Sequence, residues 1–212
     1  GFGIQDDTVL VPSFRMDIEN KYDLSEEVAR FYGYDRIPSE SFKGLVEPEG
    51  LTAEQQFERK VGVLFRSCGF SEAMTFSFIS PKVYDKLLLA QDSELRNFLK
   101  IQNPLGEDTS VMRTTAVPSM LEVLARNFSY RAENVALYEM ATVYLKQEDE
   151  KELPREPKII TAGLYGKQAD FFSVKGQVDA VLSELHIRNI SYKAPQTPPS
   201  YYHPGRCAEV YS

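Results

Sequence analysis

Apolar positions along the chain follow two rhythms, and these predict most of its elements. In residues 8–18, TVLVPSFRMDI, the side chains of Val9, Val11, Phe14, Met16 and Ile18 keep an extended rhythm. Pro12 interrupts it, as a proline does at a strand edge or a bulge. Leu24, Val28, Phe31 and Tyr32 then recur at helical spacing, on one face of a helix expected to start at Asp23 and stop at Gly33. A polar stretch with Pro48 and Gly50, SESFKGLVEPEG (39–50), reads as a linker, and a domain boundary is placed there. Thr52 opens a second helix with Gln55 in capping-box spacing, and Phe57, Val61, Leu64, Phe65 and Cys68 line its inner face as far as Gly69. Residues 73–79, AMTFSFI, alternate as a strand does, and Ser80 followed by Pro81 starts a third helix.

The second half repeats the alternation of helix and strand. Residues 98–102 form a short strand that leads into the turn NPLG (103–106). A helix from Pro118 to about Arg131 presents Leu121, Leu124, Ala125 and Phe128 as its buried stripe. VALYEMATVYL (135–145), rich in β-branched and aromatic residues, is the strongest strand signal in the chain. The charged stretch 146–157 reads as an exposed connection to a strand at 158–165. A helix over 171–186 and strands near 189–193 and 206–211 complete the order. The strands lack the long apolar runs of a buried parallel sheet. The pattern therefore predicts an α+β fold, with a mainly antiparallel sheet covered by helices on one face.

Composition narrows the function classes. The 212 residues carry 24 basic and 31 acidic side chains, a net charge of -7, which argues against autonomous binding of nucleic acid. No apolar run approaches the ~20 residues that span a bilayer, and residues 1–10 do not resemble a signal peptide. The two cysteines, Cys68 and Cys207, and the two histidines have no metal-site spacing. The first residue is not Met and the last falls inside a predicted strand, which suggests a piece of something longer. Gly-rich phosphate loops, GxSxG and HExxH are all missing.

The densest chemistry is acidic. Asp17, Asp23, Glu26 and Glu27 fall within eleven positions around the start of the first helix. Asp23 and Glu26 have N-cap spacing, and carboxylates in a first turn favour the helix dipole. Capping leaves Asp17 unexplained, and a hard cation such as Mg²⁺ takes carboxylate oxygens of this kind. Glu26 and Glu27 point roughly 100° apart on a helix, so they would not grip one ion equally. Arg113 could hold a phosphate or pair with a structural carboxylate. His203, in HPGR (203–206), reads as a turn residue.

Five ordered segments carry a resemblance. VPSFRMDIENKYDLSEEVARFYGYDRIP (11–38), NPLGEDTSVMRTTAVPSMLEVLARN (103–127), VALYEMATVY (135–144), DFFSVKG (170–176) and YHPGRCAEV (202–210) resemble the β subunit of bacterial phenylalanyl-tRNA synthetases. Ala141, where glycine is common, and Val117 at the helix start depart from the pattern. The resemblance implies that residues 1–40 are the C-terminal part of a fifth, winged-helix-like domain. It implies that 48–212 are a non-catalytic, class II synthetase-like core. It further implies an α subunit that carries activation and aminoacylation, an (αβ)₂ heterotetramer in the cytoplasm, and tRNA(Phe) held mainly by other domains. Asp17, Asp23, Glu26 and Glu27 match the family's Mg²⁺ ligands, and no catalytic residue is implied in this chain.

Two other readings compete. A winged-helix nucleic-acid-binding or scaffold module would want a basic recognition helix, and the first helix carries Asp23, Glu26 and Glu27 against Arg30. A free-standing class II enzyme would want an arginine on its central strand to meet the ATP α-phosphate. The strand 135–145 carries Glu139 and no arginine.

Overall fold

The computed structural model describes residues 1–44, 50–149 and 152–212. Residues 45–49 of the expected linker, with Pro48, lie outside the described residues, as do residues 150 and 151 of the charged connection. The chain divides into two compact units, Gly1–Gly50 and Leu51–Ser212. Its elements are mixed α and β, and no helix among the described residues is long and apolar enough to cross a membrane.

The first unit is a hairpin followed by a helix. β1 (Gly3–Gln5) and β2 (Thr8–Leu10) pair antiparallel, with Gly3 opposite Leu10. Asp6 turns the hairpin at a φ of 52°, a left-handed conformation that aspartate tolerates. The expected extension beyond β2 gives way to turns, in which the Arg15 N–H meets the Pro12 carbonyl at 2.9 Å. Helix α1 spans Lys21–Tyr32 and starts three residues earlier than expected, because Asn20 rather than Asp23 is its N-cap. The Asn20 side chain accepts the Tyr22 N–H at 2.8 Å, and Asp23 at the third helical position accepts the Asn20 N–H at 2.9 Å. Gly33 ends the helix at a φ of 101°. No described residue of this unit is fully buried, and Val28, Phe31 and Tyr32 of the apolar stripe stay largely exposed.

The second unit is built on a three-stranded sheet of order β3-β6-β7. Helix α2 (Ala53–Ser67) precedes β3 (Ser71–Glu72) and is closed at its start by the Thr52–Gln55 capping box. β4 (Phe78–Ile79) and a single turn, α3 (Val83–Lys86), come next, then β5 (Val111–Met112) and α4 (Val117–Ser129). β6 (Val135–Thr142) and β7 (Lys158–Tyr165) pair antiparallel over their full length, from Val135 opposite Tyr165 to Thr142 opposite Lys158. β3 adds to the other edge of β6 in parallel, and β4 pairs with β5. Helix α5 (Phe171–Glu184) leads to the antiparallel pair β8 (Ser191–Lys193) and β9 (Glu209–Tyr211). The single antiparallel sheet expected from the pattern is thus divided into small sheets, and one of its pairings is parallel.

Packing explains where the core sits. Ile79, Val83, Tyr84 and Val111 form its centre, with Leu89, Leu95 and Phe98 against them. The stripe expected on α4 is displaced: Pro118, Ser119 and Met120 are buried, whereas Phe128 is exposed. α4 lies across β6 and β7 because Gly163 leaves room for it. A Cβ at that position would stand 2.6 Å from Leu124 Cδ1 and 3.2 Å from Met120 Cγ. Met120 and Leu124, one helical turn apart, are the residues that α4 sets on this glycine.

Candidate functional site

The acidic cluster of the first unit is organised by Arg15. Its guanidinium donates to Asp17 from Nε at 2.9 Å and from Nη2 at 2.6 Å. The same group reaches Glu27 of α1, from Nη2 at 2.8 Å and from Nη1 at 3.2 Å. Arg30, one turn along the helix, donates to Glu27 at 2.7 Å. Glu27 therefore lies between two guanidiniums with its side chain 13% exposed, whereas Asp17 is 61% exposed. Hydrogen bonds from Arg15 hold the Asp17 carboxyl down to about 2. Hydrogen bonds from Arg15, then Arg30, hold Glu27 down to about 2 as well. The same bonds push Arg15 above the usual arginine range.

The other two acidic residues are engaged differently. Asp23 Oδ2 accepts the N–H groups of Glu19 and Asn20, both at 2.9 Å, so it serves the helix start. Glu26 is exposed and forms no hydrogen bond or ion pair among the described residues. In this arrangement the four side chains do not fit a Mg²⁺ ion. Such an ion needs several oxygens around one point. Here two carboxylates converge on a guanidinium, one faces backbone amides, and one faces solvent. Among the described residues, no group of three or more His, Cys, Asp or Glu side chains could hold a metal ion. What the sequence left out is Arg15: the cation lies two residues before Asp17, and its presence in FRMD was the available signal.

In the second unit the notable charges are inside. Glu139, in the middle of β6, and Arg113, just after β5, are each only 3% exposed. Arg113 Nη1 donates to Glu139 Oε1 at 2.9 Å and to Thr75 Oγ1 at 2.8 Å, while its Nε donates to the Thr142 carbonyl at 2.9 Å. Thr75 in turn donates its hydroxyl to Glu139 at 2.8 Å and its N–H at 3.2 Å. Of the two readings of Arg113, pairing with a structural carboxylate is what the structure contains. Sequence reasoning missed the partner. A lone carboxylate inside the apolar strand VALYEMATVY was the signal, since a buried charge needs a counter-charge. The strand lacks an arginine of its own, yet one reaches it from the neighbouring segment with its charge already matched.

Two smaller motifs also resolve. In DFFSVKG, Lys175 donates to Asp179 at 2.6 Å, and the Tyr192 hydroxyl donates to the same carboxylate. Burial, and then its bond to Asp179, push Tyr192 up to about 12. His203 Nδ1 accepts the Gly205 N–H at 3.1 Å, so in HPGR it caps a turn.

Comparison with known proteins covers the whole chain. The family described as phenylalanyl tRNA synthetase beta chain CLM domain matches residues 37–212, and the tRNA synthetase B5 domain matches residues 4–34. The sequence is 42% identical over 203 residues to the phenylalanine–tRNA ligase beta subunit of Clostridium tetani, covering 96% of this chain and 25% of that one. It is 45% identical over 202 residues to that of Clostridium acetobutylicum, covering 95% of this chain and 25% of the relative. The chain thus spans about a quarter of the length of the curated relatives it matches. Among solved structures, pyrrolysyl-tRNA synthetase from Desulfitobacterium hafniense aligns with a TM-score of 0.56 at 15% identity, covering 68% of this chain and 51% of that one. At that identity the likeness is one of fold alone.

Proposed function

The chain belongs to the phenylalanyl-tRNA synthetase β-chain family, and from that premise we propose that it is a framework and assembly segment of the ligase that joins phenylalanine to tRNA(Phe) with ATP. The observation that carries this reading is the buried pair that Glu139 of the middle strand forms with Arg113, which reaches it from the segment after β5. Adenylate formation spreads negative charge over the ATP α-phosphate, and catalysis there needs a preorganised cation facing the ligand. The cation that reaches this strand is 3% exposed and already neutralised by Glu139, so the position is given over to holding the sheet together. A catalytic α subunit then supplies activation and transfer, in a cytoplasmic (αβ)₂ assembly. Residues 1–40 belong in this reading to a winged-helix-like domain, and 48–212 to a class II-like core.

Co-expression of the full-length β chain with the α subunit, followed by native mass measurement, tests the assembly. A heterotetramer is expected, and absence of any α–β species would overturn the reading. ATP–pyrophosphate exchange by the 212-residue chain alone is expected to stay at background. Exchange above background would make it an enzyme in its own right. Within the same reading, Mg²⁺ binding at Asp17, Asp23, Glu26 and Glu27 requires Arg15 to release two of them. Calorimetry on the assembled enzyme, wild type against Asp17→Ala and Glu27→Ala, tests that step: equal Mg²⁺ binding in all three rules the site out.

A further inference from the structure

The carboxylates that the resemblance assigns to Mg²⁺ already have a cation among them. Arg15 is set in that place by its surroundings. Its N–H meets the Pro12 carbonyl at 2.9 Å, which closes a turn after β2. Its guanidinium carbon lies 5.7 Å from the centre of the Phe2 ring. A guanidinium is a flat fork of five N–H donors, and two of its edges can each match a carboxylate. The edge formed by Nε and Nη2 takes both oxygens of Asp17: Nε donates to Oδ1 at 2.9 Å and to Oδ2 at 3.2 Å, and Nη2 donates to Oδ2 at 2.6 Å. The edge formed by Nη1 and Nη2 takes both oxygens of Glu27, at 3.2 Å and 2.8 Å. Asp17 belongs to the turns before α1 and Glu27 to the helix itself, so one side chain fastens the two together.

The charges balance without a metal. Asp17 and Glu27 bring two negative charges; Arg15 and Arg30, which donates to Glu27 at 2.7 Å, bring two positive ones. The other two acids are not recruited. Asp23 Oδ2 is taken by the N–H groups of Glu19 and Asn20, and Glu26 faces solvent. A Mg²⁺ ion needs oxygens at about 2.0–2.1 Å around one centre. Here the space between the Asp17 and Glu27 carboxylates is filled by Nη2 of Arg15, 2.6 Å from one and 2.8 Å from the other.

We infer that Arg15 is the resident cation of this cluster and stands in for the divalent ion, so that the junction between β2 and α1 is ordered by a guanidinium and needs no metal. Mg²⁺ enters only where Arg15 is removed. Assembly with an α subunit does not depend on which cation orders the first unit.

The test is amide hydrogen exchange along α1 in the full-length β chain, with chelator and with millimolar Mg²⁺ at matched ionic strength. In the wild type, protection of α1 is expected to be the same under both conditions. In Arg15→Met with chelator, exchange along α1 is expected to rise roughly threefold or more, as for a lost surface ion pair. Added Mg²⁺ is expected to restore protection in that variant, because two carboxylates are then free to share a divalent ion. Wild-type protection that falls in chelator would overturn the inference, since a metal would then be the ordering cation. An Arg15→Met chain as well protected in chelator as the wild type would overturn it too. Where Arg15→Met stays unprotected with Mg²⁺, Arg15→Gln, which keeps a polar side chain without the charge, repeats the comparison; failure of Mg²⁺ to restore either variant means that the two cations do not replace each other. Absence of an α–β species by native mass measurement would sink the assembly reading and leave this one standing.

Discussion

Glu139→Gln is the most informative single change in the second unit. The substitution keeps the shape of the side chain and removes its charge. Arg113 would retain the Thr142 carbonyl at 2.9 Å and the Thr75 hydroxyl at 2.8 Å, but its counter-charge at 2.9 Å would be gone. Because both partners are only 3% exposed, water cannot replace the lost carboxylate without opening the sheet. Leaving one member of a buried ion pair uncompensated costs about 3–5 kcal/mol. For a domain of this size each kcal/mol moves the melting temperature by about 2–4 °C, so a fall of roughly 10 °C is expected. Urea unfolding at constant m, beside calorimetry, measures it. Arg113→Met combined with Glu139→Met should recover most of the loss, because an apolar pair leaves no stranded charge. A residual penalty of about 1 kcal/mol would remain, from the Thr75 hydroxyl deprived of its partners. Two results would refute the reasoning: a Glu139→Gln variant within about 1 kcal/mol of wild type, or a double variant as unstable as the sum of the singles.

Three further outcomes are expected. Asp17 and Glu27 each titrate at about 2 when folded, below their ordinary values of 3.8 and 4.5, so the stability they lend is complete above those values and is lost as the pH falls through about 2. Carboxyl-detected NMR titration should show both midpoints move up to ordinary values in Arg15→Met, and unchanged midpoints would refute the assignment. Gly163→Val should destabilise the second unit by about 1–3 kcal/mol, because its Cβ would enter the space of Leu124 Cδ1 at 2.6 Å; a neutral result by chemical unfolding would mean that α4 is free to move off β7. Asn20→Ala should lower helix α1 stability by about 1 kcal/mol, whereas Glu26→Ala should be nearly silent by circular dichroism; the reverse ranking would restore an N-terminus nearer Asp23.

How much of this was legible in the sequence depends on the range of the interaction. The Thr52–Gln55 capping box and the β6–β7 strands are local patterns, and they lie where the periodicity puts them. The start of α1 slipped by three residues because Asp23 fits two roles: an N-cap, or the third position of a box whose N-cap is Asn20. Only backbone geometry separates those roles. On α4 the expected stripe places Leu124 inward, where it packs on Gly163, but not Leu121 or Phe128, which stay exposed; only the fold decides which side of the helix meets that glycine. At the acidic cluster the residue types were visible but their partners were not. Asp17 could not be assigned by capping, and its partner Arg15 is a neighbour that spacing alone does not recruit. Glu139 and Arg113, likewise, are joined only by the fold.

The two arginine–carboxylate arrangements differ in what they allow a ligand to do. Between Arg15 and the exposed Asp17 the charges remain in contact with water, so each bond to Asp17 competes with solvent and salt. Around Arg113 the pair is locked inside the sheet by bonds to Glu139, Thr75 and the Thr142 carbonyl, and separating it would require breaking β6 away from the Thr75 segment. The buried pair thus gives the second unit a rigidity that the exposed cluster of the first unit lacks. The same rigidity bears on the segment between β3 and β4. Thr75 lies between Met74 and Phe76 and is held by Glu139 at 2.8 Å, so the buried pair fixes the segment that joins β3 to β4. Loss of that pair would then loosen this segment as well as lower stability, and amide exchange at Ala73 and Thr75, measured below the melting transition, reads the local effect.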